Sequence, residues 1–308
     1  MNVATFLAQK LVNAILVLLA LSVLVFSILQ FIPGDPALAI AGMGATTQDI
    51  EAIRRQLGLD QPVYVQFFNW LFNILGGNWG QSIVSREPVL PILLSRLQMT
   101  MLLSTAGIAI AATAGILLGV HAALKANSAT DFGLSIIALV GISTPIFWVG
   151  LLLQLFFAIQ LGLLPATGSG TFWHLILPAI AIGGNSIGII MRITRSSMLE
   201  VLRQDYIRTA RAKGLSARKL IYRHALRNAL IPVLTVVGVQ FAYLMGGAVL
   251  TETVFVWPGI GKLLADSVFR RDIPTVQGAI LMIGAMFVVI NAIVDFLYTV
   301  VDPRVRLG

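Results

Sequence analysis

Apolar positions in this chain fall in long, nearly unbroken runs, not in the alternating or three-to-four spacing of half-buried elements. Six runs reach the length of about 20 residues that crosses a hydrocarbon core roughly 30 Å thick. They are Leu11–Ile32, Met99–Leu124, Leu134–Leu161, Leu175–Ile193, Leu230–Leu250 and Val276–Val301. The pattern predicts an all-α polytopic membrane protein with six transmembrane helices. In the fourth run Pro178 and the pair Gly183 and Gly184 interrupt the apolar pattern, and neighbouring helices must satisfy the backbone groups such residues free. The first run is too long for a signal-peptide core, follows only Lys10, and meets no small-residue cleavage site before Phe31–Pro36. It reads as a retained helix.

Between the runs lie two longer segments. Residues 33–98 form one loop, in which Thr47–Leu57 has helical spacing and Val63–Leu75 is rich in aromatics (Tyr64, Phe67, Phe68, Trp70, Phe72). The aromatic stretch fits either a membrane interface, where amphipathic rings are favoured, or a folded cap joining the first two spans. The other segment, 194–229, separates the fourth and fifth spans. Nothing in the pattern divides the chain, so residues 1–308 read as a single transmembrane domain.

Composition supports lipid as the solvent. Apolar residues make up 57% and charged residues 11% of the 308, against about 25% charged in soluble domains, and mean hydropathy is +0.91. The absence of cysteine excludes disulfides, thiolate catalysis and Cys-ligated zinc. His121, His174 and His224 have no metal-ligand spacing, so no metal site is expected. Gly259-Ile260-Gly261-Lys262 lacks the glycine spacing and following Ser/Thr of a phosphate loop, and there is no Gly-x-Ser-x-Gly or His-Glu-x-x-His motif. No catalytic residue and no nucleotide site is therefore expected in this chain.

Charge orients the spans. With both termini inside, Lys10, Lys125, the ten Lys/Arg from Arg192 to Arg227, Arg304 and Arg306 place 14 of the 21 basic residues in the cytoplasm. The external side holds Arg54, Arg55, Arg86, Arg96, Lys262, Arg270 and Arg271. That bias predicts an N-in, C-in topology. Against the ten basic residues of Arg192–Arg227 stand Glu200 and Asp205; the net of +8 equals that of the whole chain.

Within this segment Asp205 is suited to cap a short helix through Lys213, and Gly214 to end it in the left-handed conformation. Ser216 then caps a second helix that Pro232 breaks. Charge alone permits attraction to anionic lipid, a basic helix-turn-helix reader of nucleic acid, or docking of a cytoplasmic partner. Tethering between two spans argues against nucleic acid. Small residues Thr209, Ala210, Ala212 and Gly214 permit close approach, and Arg208, Arg211 and Lys213 supply charge; lipid and partner remain open on these grounds.

Tyr206–Gly214, with Leu215-Ser216 and His224–Pro232, resembles the cytoplasmic coupling loop of bacterial ABC importer permeases, in the dipeptide/oligopeptide/nickel branch. Arg208-Thr209-Ala210 stands where such permeases in general carry Glu-Ala-Ala, with Gly214 at matching spacing. The later His224–Arg227 with proline only at Pro232 departs from the general form and is similar to the peptide branch. Nearly the whole chain carries the resemblance: Phe31–Pro36, Leu57–Asp60 with Pro62, Gly80 with Ser82, Thr251–Phe255, Trp257–Gly261, Arg271-Asp272 with Pro274, and Asp302–Arg306. Gln98 stands where the family has proline before the second span, a local change in how that helix begins.

The resemblance implies an inner-membrane permease that moves dipeptides or oligopeptides by alternating access, with nickel or another small solute as the alternative cargo. It implies a homologous second permease, two cytoplasmic ATPase subunits that bind ATP and Mg, and an extracytoplasmic binding protein. Arg208, Thr209, Ala210, Arg211, Ala212, Lys213 and Gly214 become the expected ATPase contacts. An autonomous channel or secondary transporter, needing no ATPase, is the rival of different class.

Polar residues at lipid depth are functional candidates. Glu252, expected at the outer interface, and Asp295 near the inner end of the last span are the acidic ones, and Asn185, Gln240 and Asn291 are placed to line a path or to bond between helices. Gly107, Ala111, Gly115 and Gly119 put small side chains on one face of the second span, and Gly184 and Gly188 on the fourth, a pattern for close helix packing.

Overall fold

Lipid leaves a backbone nowhere to hydrogen-bond except within itself, and the chain is helical almost throughout. The computed structural model describes residues 3–30, 46–56 and 58–301; the Phe31–Pro36 turn, Leu57 and the Asp302–Arg306 tail lie outside the described residues. The helices are α1 (Val3–Gln30), α2 (Thr47–Gln56), α3 (Val63–Leu75), α4 (Val89–Leu124), α5 (Ala129–Ser143), α6 (Ile146–Gln160), α7 (Phe172–Leu202), α8 (Asp205–Ala212), α9 (Ala217–Val254), α10 (Ile260–Phe269) and α11 (Ile273–Val301). Wide π-type turns occupy Gln154–Gln160 in α6 and Leu220–Ala225 in α9. Among the described residues the only β-type pairing is an isolated bridge, Gln81 with Pro88.

Helices α1, α4, α7, α9 and α11 are each long and apolar enough to span a bilayer, and α5 with α6 makes a sixth candidate bent by 104°. The third run is thus not one straight helix. Pro145 has no N–H to continue the ladder, and Thr144 before it is extended at φ −84°, ψ 130°. The break frees carbonyls that lipid cannot satisfy. Asn185 Nδ2 donates to the Ile142 carbonyl at 2.7 Å, and Thr144 Oγ1 to that of Val140 at 2.6 Å.

Pro178 and Pro232, by contrast, lie inside α7 and α9 without ending either helix. The expected break at Pro232 does not occur; α9 runs unbroken from the basic segment to Val254. Helix α4 begins at Val89, with Pro91 in its first turn where a missing N–H costs nothing. Gln98 therefore lies inside a helix, not at its start.

The described residues fall into two compact units. One comprises 99–262 and the end of α11 from Val289; the other comprises 3–98 and 263–288.

In the first unit α7 is the central helix. Small residues of α4 let it approach: a Cβ on Gly107 would meet Ile182 at 2.6 Å, on Gly115 Ile190 at 2.8 Å, and on Gly119 the Met191 carbonyl at 2.6 Å. Ala111 on the same face is fully buried with Ile190 and Val233 of α9. Across the helix Gly188 faces the Ala138 carbonyl of α5. Gly183, not Gly184, makes the other close approach, its missing Cβ lying 2.5 Å from the Gly107 carbonyl, while Gly184 faces open space.

A buried ion pair also fastens α7 to α5. Arg195 Nε and Nη2 donate to Asp131 Oδ1 and Oδ2 at 2.6 and 2.7 Å, and Asp131 is 2% exposed. Asp131 also accepts from the Asn127 N–H at 2.9 Å, while its own N–H donates to the capping Ser128 Oγ. This resembles a capping box, except that the back-bond of the aspartate goes to the N–H one residue before the cap.

In the second unit Asp272 joins loops 190 residues apart: it accepts from Ser82 Oγ at 2.5 Å, the Ile83 N–H at 3.0 Å and Thr275 Oγ1 at 2.9 Å. Gly278 of α11 lies against Leu93, Val89 and Trp79, and Gly284 against Leu21 of α1.

Two stability measurements check this packing. Gly183→Ala forces a Cβ onto a backbone oxygen and should lower the apparent Tm of the purified protein, a cost of about 1–3 kcal/mol. Gly184→Ala, into open space on a helix, should leave Tm unchanged or raised. Asp131→Asn removes the charge and one acceptor facing the partly exposed Arg195 guanidinium and should cost about 1–3 kcal/mol, read as a Tm drop that Arg195→Lys only partly reproduces because the bidentate geometry is lost but the charge kept.

Candidate functional site

The basic segment folds as a helix held at one point. An eight-residue helix is far below the length that is stable alone, and α8 is fixed by Ile207, 1% exposed, in a cluster with Val120 and Ala123 of α4, Met198 of α7, and Leu220, Ala225 and Ala229 of α9. Ala210 packs against the same cluster. At the helix start Asn228 Nδ2 donates to Tyr206 Oη at 2.7 Å, tying α8 to α9.

Gln204, not Asp205, is the cap residue; it makes no side-chain cap bond, and Asp205 stands in the first turn, where a negative charge is stabilised by the positive end of the helix dipole. At the other end Leu215 N–H donates to the Ala210 carbonyl at 3.3 Å and Gly214 N–H to that of Arg211 at 3.0 Å. Gly214 has φ +78°. This is a Schellman motif with glycine in its left-handed position. Ser216 occupies the cap of α9 without a side-chain bond.

Of the seven residues expected to contact an ATPase, Arg208, Thr209, Arg211, Ala212, Lys213 and Gly214 are exposed and Ala210 is half-buried. No neighbouring atom lies within 4 Å of where a Gly214 Cβ would be. Arg208 approaches Asp205 at 3.9 Å with both side chains in solvent, a pair of little energetic consequence. Of the ten basic residues from Arg192 to Arg227, Arg195 is spent on Asp131 and the other nine are exposed. Arg211 and Leu215 border a cavity of about 420 Å³ with Leu124, Leu202 and Leu220; Arg223, His224, Arg227 and Asn228 line a second, polar one.

The opposite end of this unit is closed by Glu252. Thr100 of α4 and Val120 in the α8 cluster are 20 residues apart, about 30 Å along a helix, the thickness of a hydrocarbon core. Glu252 is fully buried within the protein at this end of the spans. Its Oε1 accepts from Thr100 Oγ1 at 2.5 Å and its Oε2 from the Lys262 N–H at 2.9 Å, while Thr100 Oγ1 accepts from the Ile260 N–H at 2.9 Å. Gly259 lies directly on the carboxyl group, where a Cβ would overlap it. Buried Trp257 donates through Nε1 to the Met99 carbonyl at 3.0 Å. Glu252 thus holds the Trp257–Lys262 turn against α4 and faces no open surface.

The same turn carries a strained residue. Trp257 N–H donates to the Glu252 carbonyl and Val256 N–H to that of Thr253, a second Schellman motif, but Val256 takes the left-handed position at φ +52°. A β-branched residue is unfavourable there. Gln154, at the start of the wide turn in α6, donates to the carbonyls of Ala166 and Val254 and secures the neighbouring loop.

Two of the remaining path candidates bond between helices. Asn185 satisfies the broken end of α5, and Gln240 Oε1 accepts from Ser186 Oγ at 3.0 Å across α7 and α9. Asn291 and Asp295 are half-buried on α11. An apolar cavity of about 540 Å³ between α4, α9 and α11 is lined by Thr105, Ile108, Leu234, Phe241 and Ile290 among others, and by none of the five polar candidates. Sequence reasoning passed over Thr100, Asp131, Gln154 and Arg195. Only Ser128-x-x-Asp131, a capping-box spacing before an apolar run, marks one of them locally.

Comparison with known proteins gives this architecture a family. Residues 3–104 match the N-terminal part of binding-protein-dependent transport system membrane components, and residues 115–307 match the inner membrane component itself. The probable peptide ABC transporter permease y4tP of Sinorhizobium fredii is 43% identical over 98% of this chain and 99% of its own length. The glutathione transport system permease GsiC of Salmonella typhimurium is 42% identical, and the di/tripeptide permease DppB of Pseudomonas aeruginosa 43%, each over 98% of both chains. Among solved structures, the inward-facing MetNI methionine ABC transporter superposes with a TM-score of 0.56 at 19% identity, over 70% of this chain and 96% of that one. With a family model over residues 115–307 and relatives 42–43% identical over 98% of its length, the chain belongs to the binding-protein-dependent transport system inner membrane components, the permease subunits of ABC importers.

Proposed function

We propose that this chain is the membrane-spanning permease of an ATP-driven importer of dipeptides or oligopeptides in the bacterial inner membrane, with α8 as the surface that receives motion from a cytoplasmic ATPase. The observation that carries the coupling role is the geometry of α8. Its inner face is anchored by Ile207 among three spanning helices while Arg208, Thr209, Arg211, Ala212, Lys213 and Gly214 stand free. A push on that free face acts on α4, α7 and α9 together. Lipid attraction alone calls for basic charge but not for a helix seated in the core.

In this reading the N-in, C-in orientation puts α8 in the cytoplasm, and two ATPase subunits binding ATP and Mg engage α8 and its counterpart on a second, homologous permease. An extracytoplasmic binding protein delivers cargo to the far side. The chain needs no cofactor of its own. Peptide cargo is supported by the relatives, which are named as permeases for peptides, di/tripeptides and glutathione.

Two measurements test the proposal. Cells lacking this gene should lose uptake of labelled di- or oligopeptides and keep nickel uptake; loss of nickel uptake alone would replace the cargo assignment, and peptide transport by the isolated chain without an ATPase would end the importer reading. Gly214→Asn retains the left-handed turn but adds bulk to the open side, and should sharply lower peptide-stimulated ATP hydrolysis. Undiminished coupling and uptake in that variant would count against direct contact at Gly214.

A further inference from the structure

Helix α3 has three distinct faces, and two of them make contacts among the described residues. At about 100° per residue, Phe67 and Trp70 share one side and pack on Phe26 of α1, with ring centroids 5.4 and 5.6 Å away. Gln66 and Asn69 share another and bond to the preceding loop: Gln66 Nε2 donates to the carbonyls of Leu59 and Gln61, and Asn69 Nδ2 reaches Gln61 Oε1. Tyr64, Phe68, Phe72 and Leu75 form the third side, and each is more than half exposed, at 67, 51, 66 and 73%. Val63–Leu75 contains no charged residue.

The depth of this stripe follows from α1. Its apolar stretch is Gln9–Ser27, 19 residues, which at 1.5 Å each covers about 28 Å and so the whole hydrocarbon core. Phe26 is the penultimate residue of that stretch, at the boundary between acyl chains and headgroups. A helix packed on Phe26 through Phe67 and Trp70 sits at the same boundary. There an apolar stripe beside a polar side, with aromatic rings and no charge to desolvate, suits a helix lying in the membrane plane.

We infer that α3 is an interfacial anchor whose Tyr64–Phe68–Phe72–Leu75 stripe inserts into the bilayer at the end of α1 remote from the N-terminus, binding lipid rather than a protein partner. The anchor fixes the first long loop to the membrane surface through lipid contacts and requires no particular cargo.

The chain contains no cysteine, so a single introduced cysteine carries a nitroxide label at one known place. Phe68→Cys, Phe72→Cys and Asn73→Cys are labelled in the assembled transporter, its other subunits freed of cysteine, in phosphatidylethanolamine–phosphatidylglycerol nanodiscs. Collision with dissolved oxygen reports lipid and collision with a water-soluble nickel chelate reports solvent. The oxygen-to-nickel ratio should be severalfold higher at Phe68 and Phe72 than at Asn73, and Tyr64→Cys and Leu75→Cys should match the first two, so one poorly folding variant does not decide the outcome. Equal ratios at all positions would put the stripe in water, and labels immobile and shielded from both reagents would put it against a protein; either result overturns the anchor.

Discussion

The burial of one side chain, Ile207, holds in place the helix α8 proposed above to receive an ATPase. Eight residues rich in charge do not form a helix on their own in water; the ordering cost must be met by contacts elsewhere. Burying an isoleucine supplies roughly 2 kcal/mol, and here it does so among α4, α7 and α9 at once. The Schellman turn at Gly214 then stops the helix before its basic face turns back toward the core. Position, rigidity and exposure of the basic residues all follow from that anchor.

From Ile207 outward, the first unit is held together by contacts between its helices. Lipid offers helices no hydrophobic gain for associating, so close backbone approach and interhelical polar contacts must hold them. Gly107, Gly115 and Gly119 provide the first, and the Asp131–Arg195 pair, Ser186–Gln240 and Asn185–Ile142 the second. About 30 Å away, the Glu252–Thr100 junction clamps the other ends of α4 and α9. In the proposed coupling, helices fixed at both ends would carry a displacement of α8 along their length.

The spans were readable because lipid demands long apolar runs, and the Gly214 turn because a left-handed residue after a basic helix is a local signal. What escaped depended on partners distant in sequence. Glu252 follows a span and so resembles an interfacial residue; Thr100, 152 residues earlier, and the Lys262 N–H supply the bonds that its burial requires. Asp131 and Arg195 are 64 residues apart, and Arg195 was hidden among nine similar residues. Prolines were ambiguous for a related reason. Pro145 breaks a helix where Asn185 stands ready to satisfy the freed carbonyl, whereas Pro178 sits between buried Leu177 and Ala179 in a packed helix that continues through it. Val256 shows the converse: its left-handed turn carries no glycine to announce it.

The central claim, that the free face of α8 is where an ATPase bears on this chain, is tested most directly by photo-crosslinking. Benzophenone placed on cysteines at Arg211 and Ala212 of the cysteine-free chain, with Ala229 in the buried cluster as control, is illuminated in the assembled transporter in lipid. Adducts between this chain and the ATPase subunit at the two α8 positions and none at Ala229 are the predicted result. Adducts only with lipid, or an ATPase adduct absent from α8 and present elsewhere on the basic segment, would contradict it.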